Sequence, residues 1–188
     1  MTFALALHLD ATTDEAIRDV WQQLADAGLS RAIRETDIPH LTLWVSDELA
    51  PKIAPGQIDS FVDARTPFEI RLRSVGVFPA RWGPVFFAPV PTEELLTLHH
   101  DAIVLAMDVG AYPQWHQRPA HWVPHVTASL ELTEGEVAAA TQIVTEAELP
   151  EATKCTGMTL FRVLPETELI HRASFPKRPN PRRDAMDR

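Results

Sequence analysis

Two short segments of this sequence place a histidine two residues before a threonine, each directly after a proline. They are His40-Leu41-Thr42-Leu43 and His125-Val126-Thr127-Ala128. In an extended strand, residues i and i+2 point to the same face. Each segment therefore predicts a histidine and a threonine side by side on one face of a strand, with apolar neighbours on the opposite face.

If the two segments face each other, two imidazoles and two hydroxyls surround one small space. This set of groups suits displacement at phosphorus. Such a reaction needs a base for the incoming oxygen and an acid for the leaving oxygen, and histidine supplies either form near neutral pH. Threonine hydroxyls can donate to the non-bridging phosphoryl oxygens, whose charge must be held in the transition state. With these groups in place, a metal ion is not chemically required.

The order of elements around the two segments is repeated along the chain. The residue pattern predicts a strand at residues 3–9 and a helix at 12–27, followed by a glycine, a loop and the first His-x-Thr segment. A second strand is predicted at 85–90 and a second helix at 92–109, again followed by a glycine, a loop and the second segment, 85 residues after the first. This repetition favours two pseudo-symmetric lobes.

Local signals mark the ends and faces of the two helices. Thr12 and Glu15 have the spacing of a capping box, and Thr92 precedes two glutamates that suit the start of a helix. The first helix is expected to bury Ile17, Val20, Trp21 and Leu24. The second is expected to bury Leu96, His99, Ile103 and Met107.

The remaining elements complete an α+β fold of mainly antiparallel sheet, bilobal, with the helices outside and a central cleft. They are a short helix at 58–64, a half-buried strand at 68–78, a helix at 134–147, and a final hairpin of strands 153–164 and 168–175 turning at 165–167. We expect residues 1–175 to form a single domain and residues 176–188 to form a basic, disordered tail.

At the two motifs the chain resembles the two-histidine phosphoesterase superfamily, the group of 2'-5' RNA ligases and cyclic phosphodiesterases. The resemblance spans about residues 1–175 and rests on the paired His-x-Thr segments, together with the stretch from Val75 to Phe86. It implies the bilobal α+β fold, a cleft between the lobes and no cofactor. Ala128 is smaller than the bulky apolar residue common at that position of the family and is expected on the packed face.

The resemblance also implies roles for four residues. His40 would be the general acid on the leaving oxygen, His125 the base that activates water, and Thr42 and Thr127 the groups that hold the phosphoryl oxygens. The expected reaction is hydrolysis of a 2',3'-cyclic phosphate end of RNA or of a nucleotide to a 2'-phosphate. The division of labour between the histidines follows less directly than their joint involvement.

Charge limits the size of the substrate. The 188-residue chain has a net charge of -9, and residues 1–175 carry 12 basic and 24 acidic residues. Such a body repels a long phosphate backbone, because nucleic-acid affinity depends on phosphate neutralisation. We therefore expect a small nucleotide or an RNA 3'-end as substrate, and no long nucleic acid.

Cellular location follows from composition. One cysteine, Cys155, excludes an internal disulfide framework and a four-cysteine zinc site. The apolar run at residues 3–9 is too short for a signal peptide or a membrane span. We expect a soluble, cytoplasmic monomer with no membrane partner.

Aromatic and basic residues near the motifs are candidate substrate contacts. Phe78, Arg81 and Trp82 lie in a predicted turn, where an aromatic ring could stack on a base and Arg81 could reach the phosphate. Folding of this turn over the edge of its lobe is an equal alternative. Trp44 is expected on the same side as His40, although packing within the lobe is equally compatible, and Tyr112 is a weaker candidate in the loop before the second motif.

A metal site is the alternative interpretation of three histidines. His116, His121 and His125 suggest zinc, but their spacing lies in a proline-broken loop with no acidic residue between 114 and 130. We predict no metal. His8 and His171 are predicted to be ordinary strand residues.

Two functional alternatives remain open. The first is a 2'-5' RNA ligase or 2'-5' phosphodiesterase, which would use the same cleft. The second is a non-catalytic module that binds a nucleotide or an RNA end and shows no turnover.

Overall fold

Strands and helices are mixed along the chain in a computed structural model that describes residues 1–29, 37–79, 84–164 and 167–176. The predicted contacts Arg81 and Trp82, part of the 165–167 turn and the predicted tail beyond Pro176 lie outside these residues. The elements in order are β1 (Thr2–Leu9), α1 (Ala11–Asp26), β2 (His40–Ser46), α2 (Ala54–Asp63), β3 (Phe68–Ile70), β4 (Leu72–Val77), β5 (Val85–Pro89), α3 (Glu93–Asp108), β6 (Val126–Ser129), α4 (Glu134–Glu146), β7 (Thr153–Leu164) and β8 (Glu168–Ser174).

The strands form an antiparallel sheet, which confirms the predicted α+β class. Its order is β3-β7-β1-β2-β6-β5-β4, with β8 paired to β7. The two predicted lobes are its two halves, β7-β1-β2 and β6-β5-β4. They meet where Leu41 of β2 pairs with Val126 of β6, so the seam between the halves runs through both His-x-Thr segments.

The repeated plan is confirmed in both halves. β1, α1 and β2 follow one another as β5, α3 and β6 do, and each helix is followed by a glycine with positive φ, Gly28 at 71° and Gly110 at 67°. Glycine tolerates this left-handed conformation without steric cost, which ends the helix.

Helix α1 begins earlier than predicted. Its N-cap is Asp10, whose carboxylate accepts from the Thr13 amide at 2.9 Å, so the proposed Thr12–Glu15 box is wrong. The predicted apolar face of α1 is buried. Helix α2 begins at Ala54 rather than residue 58, with a proline in its first turn, where the missing N–H costs nothing.

The predicted apolar face of α3 is partly wrong. Leu96 and Met107 are exposed, whereas Leu95, Leu98 and Leu105 are buried beside His99. The helix is apolar around much of its circumference, so periodicity alone selected the wrong stripe.

The predicted strand at 68–78 is two strands on opposite edges of the sheet. β3 pairs with β7, β4 pairs with β5, and Arg71 is the single residue between them. One residue spans only ~7 Å between its neighbours. The sheet must therefore curl until its two edges approach each other, and Arg71 joins the halves a second time.

Helices α1 and α3 each pack against the half of the sheet to which their preceding strand does not belong. Helix α1 follows β1 in the first half but packs against β6 and α4 of the second, while α3 follows β5 in the second half and packs against β2 and α2. Each half therefore supports the motif strand of the other. None of the helices in the described ranges is long and apolar enough to cross a membrane.

Candidate active site

The seam between β2 and β6 brings the two motifs together. Leu41 and Val126 pair across it and are fully buried. The residues on either side of them point to the opposite face, where they are half-buried. The sequence-predicted packed faces, including Ala128, are therefore confirmed.

All four motif side chains share one face of this seam. Continuing the antiparallel register by one residue sets His40 opposite Thr127 and Thr42 opposite His125. Each histidine thus has the other motif's threonine as its cross-strand neighbour, and the two histidines stand diagonally at roughly 7–8 Å. A tetrahedral phosphoryl group placed against this face could contact all four side chains.

Both motif histidines are oriented in the same way. Nδ1 of His40 lies 2.6 Å from the Ile38 carbonyl oxygen, and Nδ1 of His125 lies 2.7 Å from that of Val123, in each case two residues before the histidine. A carbonyl can only accept, so Nδ1 carries the hydrogen in both rings. This fixes the tautomer and leaves Nε2 as the nitrogen that can accept or deliver a proton.

Burial lowers the pKa of both histidines, with different opposing influences. For His40, the carbonyl of Ile38 and the negative charge of Asp37 favour the protonated ring and offset part of the decrease. For His125, only the Val123 carbonyl opposes burial, and the charges of His40 and His116 lower its pKa further. Both pKa values therefore lie below the ordinary value for histidine, and a carboxylate opposes this decrease at His40 but not at His125.

Comparison with known proteins agrees with this geometry. Residues 12–165 match the family described as the 2'-5' RNA ligase superfamily. The chain belongs to this superfamily. The resemblance drawn from the two motifs is thereby confirmed. No curated protein matches the chain.

Solved structures of the superfamily's fold are similar over nearly the whole chain. A phosphoesterase structure aligns with a TM-score of 0.59 at 18% identity and covers 90% of this chain and 93% of its own. LigT of E. coli complexed with NADP+ gives 0.59 at 20% identity, covering 92% and 96%. The same protein with 3'-AMP gives 0.57 at 18% identity, with the same coverage. At this identity the likeness shows the shared fold.

Aromatic rings surround the superfamily motif at His125. Phe78 stacks on Phe86 with centroids 4.4 Å apart, and the two rings lie 4.9 and 5.4 Å from the ring of His125. Phe86 can lie this way because Gly76 stands opposite it, where an added Cβ would come within 2.3 Å of the Phe86 ring. Phe78, a sequence-predicted contact, therefore lies in the site.

A cleft of about 460 Å³ opens beside these rings. Its lining includes Phe78, Trp115, His121 and His125. Trp115 is 67% exposed and meets His121 edge to face at 5.3 Å. A nucleobase in this cleft could stack on the exposed aromatic surface, because aromatic side chains stack on any nucleobase.

The neighbours of His40 are of another kind. His8 of β1 pairs directly with His40, and its Nε2 lies within hydrogen-bonding distance of the Thr159 hydroxyl. Phe161 lies 5.6 Å from the His40 ring. His8 is 2% exposed, and burial, with the charges of Arg172 and His40, lowers its pKa to about 4.

Sequence reasoning treated His8 as an ordinary strand residue and missed its place beside the site. The available signal was alternation: the even-numbered residues of β1 share the face of His8, opposite Leu5 and Leu7. The pairing of β1 with β2 makes that face continuous with His40.

Two predicted contacts lie away from the cleft. A β-bulge at Leu43 sets Thr42 opposite Ala6 but Trp44 opposite Leu5, so the Trp44 ring turns to the packed face and is fully buried. The expectation that Trp44 faces the same side as His40 is wrong, and the alternative, packing within the lobe, is confirmed. Tyr112 is exposed, and its amide donates to Ser46 at the far end of β2, ~20 Å along the strand from His40.

The remaining histidines and the cysteine have contacts or burial that suit a structural role. The described residues contain no group of three histidine, cysteine, aspartate or glutamate side chains arranged to hold a metal. His171 contacts Asp59 at 2.7 Å. Cys155 is fully buried, which raises the pKa of its thiol and leaves it protonated.

Proposed function

We propose that this superfamily member is a phosphoesterase that opens 2',3'-cyclic phosphates of RNA ends or nucleotides to 2'-phosphates without a metal ion. The observation that carries the proposal is the matched pair of histidines: both donate Nδ1–H to a backbone carbonyl, both lie on one face of the seam, and each has a threonine from the other motif beside it. An acid and a base on either side of one phosphorus are what cyclic phosphate opening needs.

In the proposed reaction, Nε2 of His125 takes a proton from a water molecule as its oxygen bonds to phosphorus. The bond from phosphorus to the 3'-oxygen breaks, and protonated His40 delivers its Nε2 proton to that oxygen. The products are a 2'-phosphomonoester and a 3'-hydroxyl. Thr42 and Thr127 donate to the non-bridging oxygens, whose charge persists through the transition state.

The surroundings of the histidines support this assignment of roles. The acid must enter the reaction protonated, and Asp37 favours the protonated form of His40. The base must enter neutral, and the positive charges near His125 favour its neutral form. Binding of an anionic phosphate beside His40 would raise the pKa of that ring further, so the substrate helps to charge its own acid.

A small substrate fits the remaining surface. The cleft beside Phe78 and Trp115 can hold one base, and the acidic body disfavours a long backbone. LigT, which shares the fold, has been solved with 3'-AMP and with NADP+. These observations support a nucleotide or a single RNA 3'-end as the ligand.

Ligation is the second candidate, favoured by the superfamily to which the chain belongs. If a 5'-hydroxyl replaces water, the same site joins two ends through a 2'-5' linkage, and the reverse reaction cleaves that linkage with the histidine roles exchanged. In dilute aqueous solution we expect hydrolysis to dominate.

The test is hydrolysis of the four 2',3'-cyclic nucleotides and of a short RNA with a cyclic phosphate end, in excess EDTA, from pH 5 to 9. We expect turnover with a bell-shaped profile, and His40→Ala and His125→Ala each to lose roughly 10²–10⁴-fold while still binding the 2'-phosphate product. His100→Ala, which removes an exposed histidine of α3, is the matched control and should keep the parent rate. No turnover by the parent would favour a binding module, and loss of activity with EDTA would indicate a metallohydrolase.

A further inference from the structure

Each motif threonine accepts a hydrogen bond from a tryptophan through its backbone carbonyl. The indole Nε1 of Trp122 donates to the Thr42 carbonyl oxygen, and that of Trp21 donates to the Thr127 carbonyl oxygen, both at 3.1 Å. Both indoles are 9% exposed. The two contacts occupy the same position in the two halves, although the tryptophans come from unrelated places in the chain.

The two contacts cross the seam in opposite directions. Trp21 lies on α1 in the first half and bonds to β6 of the second half. Trp122 precedes β6 and bonds to β2 of the first half. Each half therefore holds the motif of the other, as the crossed packing of α1 and α3 does on a larger scale.

The plane of Trp122 is itself fixed. The His99 ring of α3 stacks on it in parallel, with centroids 3.7 Å apart and 1° between the planes. Nε2 of His99 donates to the Gln117 carbonyl oxygen at 2.9 Å. Burial lowers the pKa of His99 to about 4, so the stack is uncharged at neutral pH.

These contacts act where small displacements matter. The strands β2 and β6 pair at Leu41 and Val126, and the carbonyl fixed by each indole belongs to the next residue along. Holding that peptide plane holds the threonine hydroxyl and sets the spacing between the motifs. A displacement of about 1 Å at a reacting centre can cost ~10²-fold in rate.

We propose that Trp21 and Trp122 are positioning residues that fix the two motifs to each other through their indole N–H groups. The proposal rests on the proposed function for its kinetic consequences, but the contacts themselves do not depend on which substrate is used. Neither indole touches the reacting atoms.

The kinetic test compares three tryptophan-to-phenylalanine variants. Trp122→Phe and Trp21→Phe remove a donor to a motif carbonyl. Trp44→Phe is the matched control, because Trp44 is fully buried next to the same motif and its Nε1 has no hydrogen-bond partner among the described residues. We expect kcat to fall roughly tenfold or more in the first two variants, with KM within about twofold, and the control to stay within about twofold of the parent in both. Equal losses in all three variants, or none in Trp21→Phe and Trp122→Phe, would overturn the proposal.

A second substitution separates the N–H group from ring packing. Benzothienylalanine, introduced at position 122 or 21, keeps the bicyclic shape and replaces N–H by sulfur. We expect the same fall in kcat with a thermal midpoint near that of the parent. Full activity of these proteins would show that only ring volume matters and would refute the role given to the N–H groups.

A spectroscopic readout does not need turnover. In ¹H–¹⁵N spectra of the histidine rings, the benzothienylalanine substitution at 122 or at 21 should shift the signals of His40 and His125, because each indole holds one motif strand against the other, whereas Trp44→Phe should shift them much less. If the parent turns over no cyclic phosphate, the proposed function fails while these shifts still test the positioning role. Unchanged histidine signals in the benzothienylalanine proteins refute that role even if the enzyme is active.

Discussion

The two motifs have the same backbone frame but different surroundings. In both, Nδ1 of the histidine donates to the carbonyl two residues earlier, and the threonine carbonyl accepts from an indole. Around His40 stand another histidine, His8, and the charge of Asp37. Around His125 stand two phenylalanine rings and an open cleft.

The difference separates what the repeated plan supplies from what individual side chains supply. The repeat supplies geometry: two imidazoles of the same tautomer on one face of the seam. The neighbouring side chains distinguish the two sides. The carboxylate of Asp37 favours a proton on His40, and the aromatic surface beside His125 favours binding of a nucleobase there. A symmetric frame can thus hold an asymmetric reaction.

The largest expected effect concerns the two motif threonines, which should contribute equally if the two motifs are equivalent. Thr42→Val and Thr127→Val each remove one donor to the phosphoryl group while keeping side-chain shape. Loss of one such donor typically lowers kcat by roughly 10²–10³-fold. Steady-state kinetics should give similar losses in the two variants and none in Thr97→Val, which alters an exposed threonine of α3. A loss in only one motif variant would show that a single threonine holds the phosphoryl group.

Aromatic contact with the substrate should matter on the His125 side. Phe78→Ala removes a stacking surface, and stacking of a base on an aromatic ring is worth ~1–3 kcal/mol, about 5- to 150-fold in affinity. We expect KM for a 2',3'-cyclic nucleotide to rise within that range. Ribose 2',3'-cyclic phosphate, which has no base, is the control substrate and should be affected little by the substitution. An equal rise with both substrates would contradict a base-binding role.

Low pH should lower the free energy of unfolding through two buried histidines near the first motif. His8 and His99 have pKa values lowered to about 4 by burial, and both lie near β2: His8 pairs with His40, and His99 contacts the Leu43 backbone and the Trp122 ring. Between pH 6.5 and 4 the unfolded chain binds these protons and the native state does not, so the free energy of unfolding falls as pH decreases. We expect each histidine to contribute a loss of about 2 kcal/mol between pH 7 and pH 5.

Urea unfolding at the two pH values checks this expectation. His8→Gln and His99→Gln should each reduce the difference between pH 7 and pH 5, whatever they do to stability at pH 7. Thr97→Val, which alters an exposed threonine of α3 and no titratable group, should leave the difference unchanged. An unchanged difference in His8→Gln would show that this ring is charged in the native state.

The smallest effect is expected from Asp37→Asn. Removing this carboxylate takes away one influence that raises the pKa of His40. The basic limb of the pH–rate profile, where the acid loses its proton, should move to lower pH while the acidic limb stays in place. Movement of the acidic limb instead would assign His40 as the base.

Residues with a strong local signal could be predicted from the sequence. The two His-x-Thr segments, their packed neighbours Leu41 and Val126, and the glycines that end α1 and α3 all follow from spacing and backbone preference. The strand that breaks at Arg71 could not, because its alternation continues through the break while pairing sends the two pieces to opposite edges.

The details of the site depended on contacts between distant parts of the chain. The bulge at Leu43, which turns Trp44 inward, arises from the register of β2 on β1. The position of His8 beside His40 has the same origin. The indole contacts of Trp21 and Trp122 join residues 106 and 80 positions apart, and no local pattern marks them.

The most direct test of the central claim uses a 2',3'-cyclic phosphate in which sulfur replaces the bridging 3'-oxygen. A thiolate leaves without being protonated, so an enzyme lacking its acid should be rescued and one lacking its base should not. Rates of the parent, His40→Ala and His125→Ala are measured on the sulfur and oxygen substrates. We predict that His40→Ala recovers most of the parent rate on the sulfur substrate, whereas His125→Ala stays impaired on both. Rescue of His125→Ala alone would reverse the roles, and rescue of neither variant would contradict acid–base catalysis by this histidine pair.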